Sequence, residues 1–153
     1  MMTPTLLRRP SPARVLALVL TLALTTLCGC ASRPPAPLFD RLGGQAKVEE
    51  VVGNTLRRAA SDPRTMRSFD GVKLLAVQKS LTQQICALSG GGCVYEGETM
   101  ARSHKELKIR PSEFDALVEI LREEFDRAGV DAGAKNELLR VLAPMKRDIV
   151  AVN

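Results

Sequence analysis

The stretch Gly90-Gly91-Gly92-Cys93-Val94-Tyr95-Glu96-Gly97-Glu98-Thr99-Met100-Ala101-Arg102-Ser103-His104 holds the chain's only histidine and lies between two runs of helical periodicity. Three consecutive glycines interrupt whatever precedes them, so Ser89 to Arg110 reads mostly as loop, with a short helical turn around Met100 to Glu106. On the N-terminal side, Leu74, Val77, Leu81, Ile85 and Leu88 recur at the spacing of one helix face. On the C-terminal side, Pro111 and a Ser112-x-x-Asp115 start signal lead into Phe114, Leu117, Val118, Leu121 and Phe125 on one face.

Further out the pattern repeats. Val48, Val51, Val52, Thr55 and Leu56 predict another amphipathic helix, with Gly43-Gly44 as a hinge ahead of it. Asn136 to Val152 carries Leu138, Leu139, Leu142, Met145 and Ile149, and Pro144 inside it removes a backbone donor and should bend the helix. No stretch alternates apolar and polar residues over a strand's length, and hairpin turn signals are missing. The expected fold class is all-α, one domain over residues 38–153 with one core.

The N-terminus has a different character. Arg8, Arg9 and Arg14 precede an apolar run over residues 15–27, which ends at Leu27-Cys28-Gly29-Cys30. That layout is a secretory signal, and the run is too short to span a bilayer as a helix. Leu-x-Gly-Cys after such a run resembles a bacterial lipoprotein signal, which implies cleavage after residue 29 and lipidation of Cys30. An uncleaved anchor or a soluble secreted form is the plainer alternative. Several acyl chains, at about 0.8 kcal/mol per buried methylene, hold a protein durably on a membrane. Ala31 in place of Asp resembles the outer-membrane sorting pattern, so the expected location is the cell envelope, on the outer membrane facing the periplasm. Ser32-Arg33-Pro34-Pro35-Ala36-Pro37 makes residues 30–37 a lipidated start and stiff spacer of roughly 20 Å.

Charge excludes one class of partner. The full chain carries +5, but the leader contributes three Arg and no acid, so the mature balance is +2. A nucleic-acid partner needs a clustered basic face, and none is legible. No Ser-His-Asp or Cys-His constellation can be built, and one His with two Cys is short of a zinc site. Taken alone, His104 would be an ordinary surface or core residue.

Its context points elsewhere. Leu38-Phe39-Asp40-Arg41-Leu42-Gly43-Gly44, then Asp62-Pro63, Phe69, Gly71, Gly90-Gly91, Tyr95-x-Gly97, Met100, His104, Ile109, Phe114 and Leu142-Ala143-Pro144 together resemble the group 1 truncated haemoglobins, over nearly all of the mature domain. The resemblance implies a truncated globin fold, a two-over-two helical sandwich around haem b, with His104 as proximal iron ligand. It also implies that Phe69, Val72, Val77, Leu81, Ile85, Tyr95, Met100, Ile109, Phe114, Leu117, Val118 and Leu142 line the haem slot. A haem iron needs a neutral imidazole and an apolar slot that keeps water from the macrocycle, which these residue types would supply. The whole sequence has four Phe, one Tyr and no Trp, so a macrocycle would provide the large flat group the core otherwise lacks.

On the distal side the chain departs from that family, which commonly places a Phe-Tyr pair where Thr55-Leu56 stands. Leu56 takes the distal tyrosine's position, Leu81 that of its usual polar partner, and Val77 the position over the iron. One lost hydrogen bond of about 1 to 1.5 kcal/mol costs about tenfold in ligand affinity. Gln84, Gln78 or Thr55 could turn inward as substitutes. With one histidine, bis-histidine ligation is excluded, and Lys79, Arg102 or Tyr95 are the candidates for a propionate contact.

Cys86 and Cys93 remain once Cys30 is assigned to lipid. In an oxidising compartment they can form a disulfide closing the glycine-rich turn, with a reactive redox pair as the alternative. The expected function is a lipid-anchored globin that binds a diatomic gas, with an unknown electron donor. The alternatives are a haem enzyme such as a nitric oxide dioxygenase, peroxidase or nitrite reductase, and a haem-free helical lipoprotein that binds a partner.

Overall fold

The computed structural model describes residues 35–150, so the leader, Cys30 and most of the spacer lie outside the described residues. Among the described residues seven α-helices follow one another: α1 Leu38–Arg41, α2 Gly44–Ser61, α3 Leu74–Leu88, α4 Met100–His104, α5 Pro111–Arg127, α6 Ala132–Leu142 and α7 Lys146–Ile149. Two single 3-10 turns, Met66–Phe69 and Ala143–Met145, join them. The one extended pairing among the described residues is an isolated parallel bridge between Ile109 and Val150. No described helix is long and apolar enough to cross a membrane.

The core forms where the apolar faces meet. α2 buries Val48, Val51, Val52, Leu56 and Ala59, an i, i+3, i+4 pattern. Against it pack Ile85 and Cys86 of α3, Leu121 and Phe125 of α5, Leu138 of α6, and Leu38, Phe39 and Leu42 from α1 and its cap. Arg58 of α2 reaches across to α5, donating to Glu124 at 2.6 Å and to Glu123 at 2.7 Å. Glu124 is buried, and Arg58 together with Arg127 supplies the charge that makes its burial tolerable.

Three details differ from the sequence expectation. α5 begins at Pro111, and its cap uses Glu113, whose Oε2 accepts the Arg110 N–H at 2.8 Å, in place of the Ser112-Asp115 pair. The carboxylate is the stronger acceptor for an orphan amide at a helix N-terminus. The last helical segment starts earlier, at Ala132, because Asp131 Oδ1 accepts the Ala134 N–H at 3.0 Å. It also breaks at Pro144 into a 3-10 turn and α7 instead of merely bending.

The glycine-rich turn is held closed. Cys86 and Cys93 are joined by a disulfide with Cα atoms 5.6 Å apart. Gly91 donates its N–H to Cys86 O at 2.9 Å, and a Cβ at Gly91 would sit 2.5 Å from Phe39 and 2.6 Å from the Cys86 sulfur. Only glycine fits there. Phe39 N–H donates to Ser89 O at 2.9 Å, so α1 closes over the same turn. Cys86 is fully buried, which leaves the Cys93 side for any attacking thiolate. Replacing both cysteines by serine is expected to lower stability by about 2 to 3 kcal/mol, as closure of so short a loop suggests. Urea unfolding midpoints with and without reductant check this, and coincident midpoints would contradict it.

Candidate functional site

A cleft with a cavity volume of about 150 Å³ opens between two stretches of chain. Thr65, Ser68, Phe69, Val72 and Val77 come from the 3-10 turn with its flanking residues and from the start of α3. His104, Leu107, Ile109, Glu113, Phe114 and Leu117 come from α4, the following loop and α5, and Ile149 from α7 closes the lining.

α4 exists to present the histidine. Thr99 caps it, its side chain accepting the Arg102 N–H, and His104 is its last residue. One turn back, the Met100 carbonyl lies 2.9 Å from His104 Nδ1. A carbonyl only accepts, so Nδ1 carries a proton, and in the neutral imidazole Nε2 then keeps its lone pair. Ser103 Oγ, 2.9 Å from the same nitrogen, donates its own hydrogen to Thr99 O at 2.9 Å and so can share the Nδ1–H. No hydrogen bond reaches Nε2 among the described residues. A ring fixed at Nδ1 by a backbone carbonyl, with Nε2 free, is the arrangement of a metal-ligating histidine. After His104 the chain turns at Lys108, whose φ of 48° is left-handed, and this places Leu107 and Ile109 both on the cleft.

The cleft's one acidic group is locked. Arg67 donates to Glu113 Oε1 at 2.7 Å and to the Lys108 carbonyl at 3.1 Å, which ties the two lining stretches together. The Arg67 hydrogen bonds hold the Glu113 carboxyl down at about 2, overcoming the opposing effect of burial, with help from the Arg110 N–H. Glu113 is therefore an acceptor at neutral pH and supplies no proton for acid catalysis.

Of the residues expected along a slot, Phe69, Val72, Val77, His104, Ile109, Phe114 and Leu117 are brought together at the cleft. The others are elsewhere. Ile85 and Leu56 are in the main core, with Leu81 and Leu142 packed against it. Val118 is half-buried outside the cleft lining. Tyr95 donates its hydroxyl to Glu98 O at 3.1 Å, and the Met100 sulfur lies 3.6 Å from Gln84 Nε2. Each proposed distal substitute is also spent elsewhere. Thr55 donates to Val51 O at 2.8 Å, Gln78 to Glu49 O at 3.1 Å, and Gln84 faces the sulfurs of Met100 and Met145. Arg102 pairs with Glu98 at 3.1 Å, and Lys79 is exposed.

The model of the bacterial-like globin family matches residues 37–151, about three quarters of the chain. The chain belongs to that family. The relatives of this globin include the group 1 truncated hemoglobin of Tetrahymena thermophila, 28% identical over 116 residues, covering 76% of this chain and 96% of that one. Another is the group 1 truncated hemoglobin of Nostoc commune, 28% identical over 113 residues, covering 74% and 96%. Among solved structures, the Fe(III) form of the Tetrahymena pyriformis truncated hemoglobin superposes with a TM-score of 0.71 at 24% identity, over 76% of this chain and 99% of that one. The 2/2 hemoglobin of Synechococcus, solved with covalently attached heme, gives 0.70 at 21% identity, over 75% and 98%. The fold is the two-on-two globin fold, as the sequence resemblance implied.

Proposed function

We propose that this globin holds haem b in the cleft through His104 and binds a diatomic gas there, oxygen, nitric oxide or carbon monoxide, while anchored to the cell envelope by a lipid on Cys30. The observation that carries the haem reading is the state of His104: Nδ1–H engaged by the Met100 carbonyl and Nε2 without a partner, in a cleft whose other walls are mainly apolar.

Bound there, haem would supply an iron that takes up a gas. The chain's own part is to orient the imidazole through α4, and to exclude water with Phe69, Val72, Val77, Ile109, Phe114 and Leu117. Glu113 stays ionised and the other proposed donors are occupied elsewhere, so the cleft presents no group for acid-base work. This favours reversible gas binding over peroxidase or dioxygenase turnover. Titrating the purified full chain with haemin tests the reading, with saturation at one equivalent and a Soret band as the expected result. A colourless protein that takes up no haemin would end it.

The anchoring reading rests on the order of charge, apolar run and Leu27-Cys28-Gly29-Cys30 in the leader. Cys30→Ala is expected to abolish metabolic labelling with a fatty acid and move the protein out of the membrane fraction in a bacterial host. Unchanged labelling would refute it.

A further inference from the structure

Nearly every polar side chain at or near the cleft is accounted for, with one exception. Thr65 Oγ1 donates to Ala59 O at 2.6 Å, Glu113 is held by Arg67, and His104 Nδ1 by Met100 O. Ser68 is one of the residues lining the cleft, and its Oγ is buried with no hydrogen-bond partner. A hydroxyl taken from water without a partner costs roughly 1 to 3 kcal/mol, and native proteins rarely leave that cost uncompensated. The other such group among the described residues, Thr82 Oγ1, is not on the cleft lining.

We propose that Ser68 is the donor the cleft offers to its gas ligand: its Oγ–H hydrogen-bonds the diatomic molecule and takes over the task left open by Leu56, Val77 and Leu81. This rests on the haem reading above. Ser68 belongs to the lining stretch that does not carry His104, and it shares that stretch with Val77. A small neutral acceptor suits a buried hydroxyl. A haem propionate does not, because a carboxylate there would need a cation, and Arg67, next to Ser68, is committed to Glu113 and the Lys108 carbonyl. The 3-10 turn fixes the position, since Ser68 N–H donates to Thr65 O at 2.9 Å.

The test compares the wild-type full chain with Ser68→Ala and Ser68→Thr, each loaded with haemin, reduced and placed under carbon monoxide. A donor to the ligand lowers the C–O stretching frequency, so Ser68→Ala is expected to raise it and Ser68→Thr to keep it near wild type. Oxygen should leave the alanine variant about tenfold faster. Haem-free Ser68→Ala should unfold at the wild-type urea midpoint or above it, because it removes an unpartnered group. A lowered haem-free midpoint would assign Ser68 a structural role and overturn the proposal. A Soret band in all three proteins with one unchanged C–O frequency would overturn it too, leaving the haem reading intact. No Soret band in the wild type would end both.

Discussion

His104→Ala is expected to abolish the Soret band of the His-ligated form and weaken haemin uptake by more than an order of magnitude. No second histidine exists to substitute. The sulfurs of Cys86 and Cys93 are joined to each other, and the Met100 sulfur faces Gln84. An apolar cleft would still attract some haemin by burial alone, so residual, spectrally altered binding is the expected remainder. The substitution deletes an imidazole that makes no hydrogen bonds beyond its own helix and Ser103, so helix content by circular dichroism should match the parent. Added imidazole should enter the vacated space and restore a Soret band close to wild type. An alanine variant whose Soret band and haemin affinity equal the parent's would remove His104 from the site altogether.

The helices were legible because burial imposes a period. Val48, Val51, Val52 and Leu56 had to share a face, and they do. The cleft was legible only in part, and α3 shows why. Val77, Leu81 and Ile85 share one face, but each step of four residues moves about 6 Å along the axis. Val77 packs on the main core and also reaches the cleft, Leu81 packs on the core without reaching the cleft, and Ile85 lies inside the core. Periodicity reports the face and says nothing of where along the helix one apolar environment gives way to another. Thr65 and Ser68 were missed for a related reason. Thr65 caps the 3-10 turn that holds Ser68, and the two meet at the cleft, yet one polar pair in a loop carries no recognisable period. Glu113 had a readable signal, three residues past Arg110 at a helix start, which the Ser112-Asp115 pattern obscured. His104 itself became informative only through family resemblance. Its significance in the structure lies in a carbonyl one turn away, which no composition reveals.

Phe125→Ala should be the most damaging single substitution in the core, costing about 3 to 5 kcal/mol. Phe125 is fully buried on α5, facing the cluster that α2, α3 and α6 share. Truncation leaves a void the surrounding helices can only partly fill, because the Arg58 contacts to Glu123 and Glu124 hold α5 at its distance from α2. Domains of this size are stable by only about 5 to 15 kcal/mol, so the haem-free variant should unfold at a midpoint lower by roughly 10 to 20 °C. Phe125 lies more than two turns beyond Leu117, the last α5 residue on the cleft, so the loss should leave the cleft's own contacts in place. Haemin, which binds only the folded chain, should therefore raise the variant's midpoint, by about 2.7 kcal/mol of added stability at a free concentration a hundred times the dissociation constant. A variant that melts within a few degrees of wild type would mean the core is not centred on Phe125. One that loses stability and cannot regain it with haemin would show that core and cleft are a single cooperative unit, with the packing of α5 against α2 setting the position of the wall that faces the ligand.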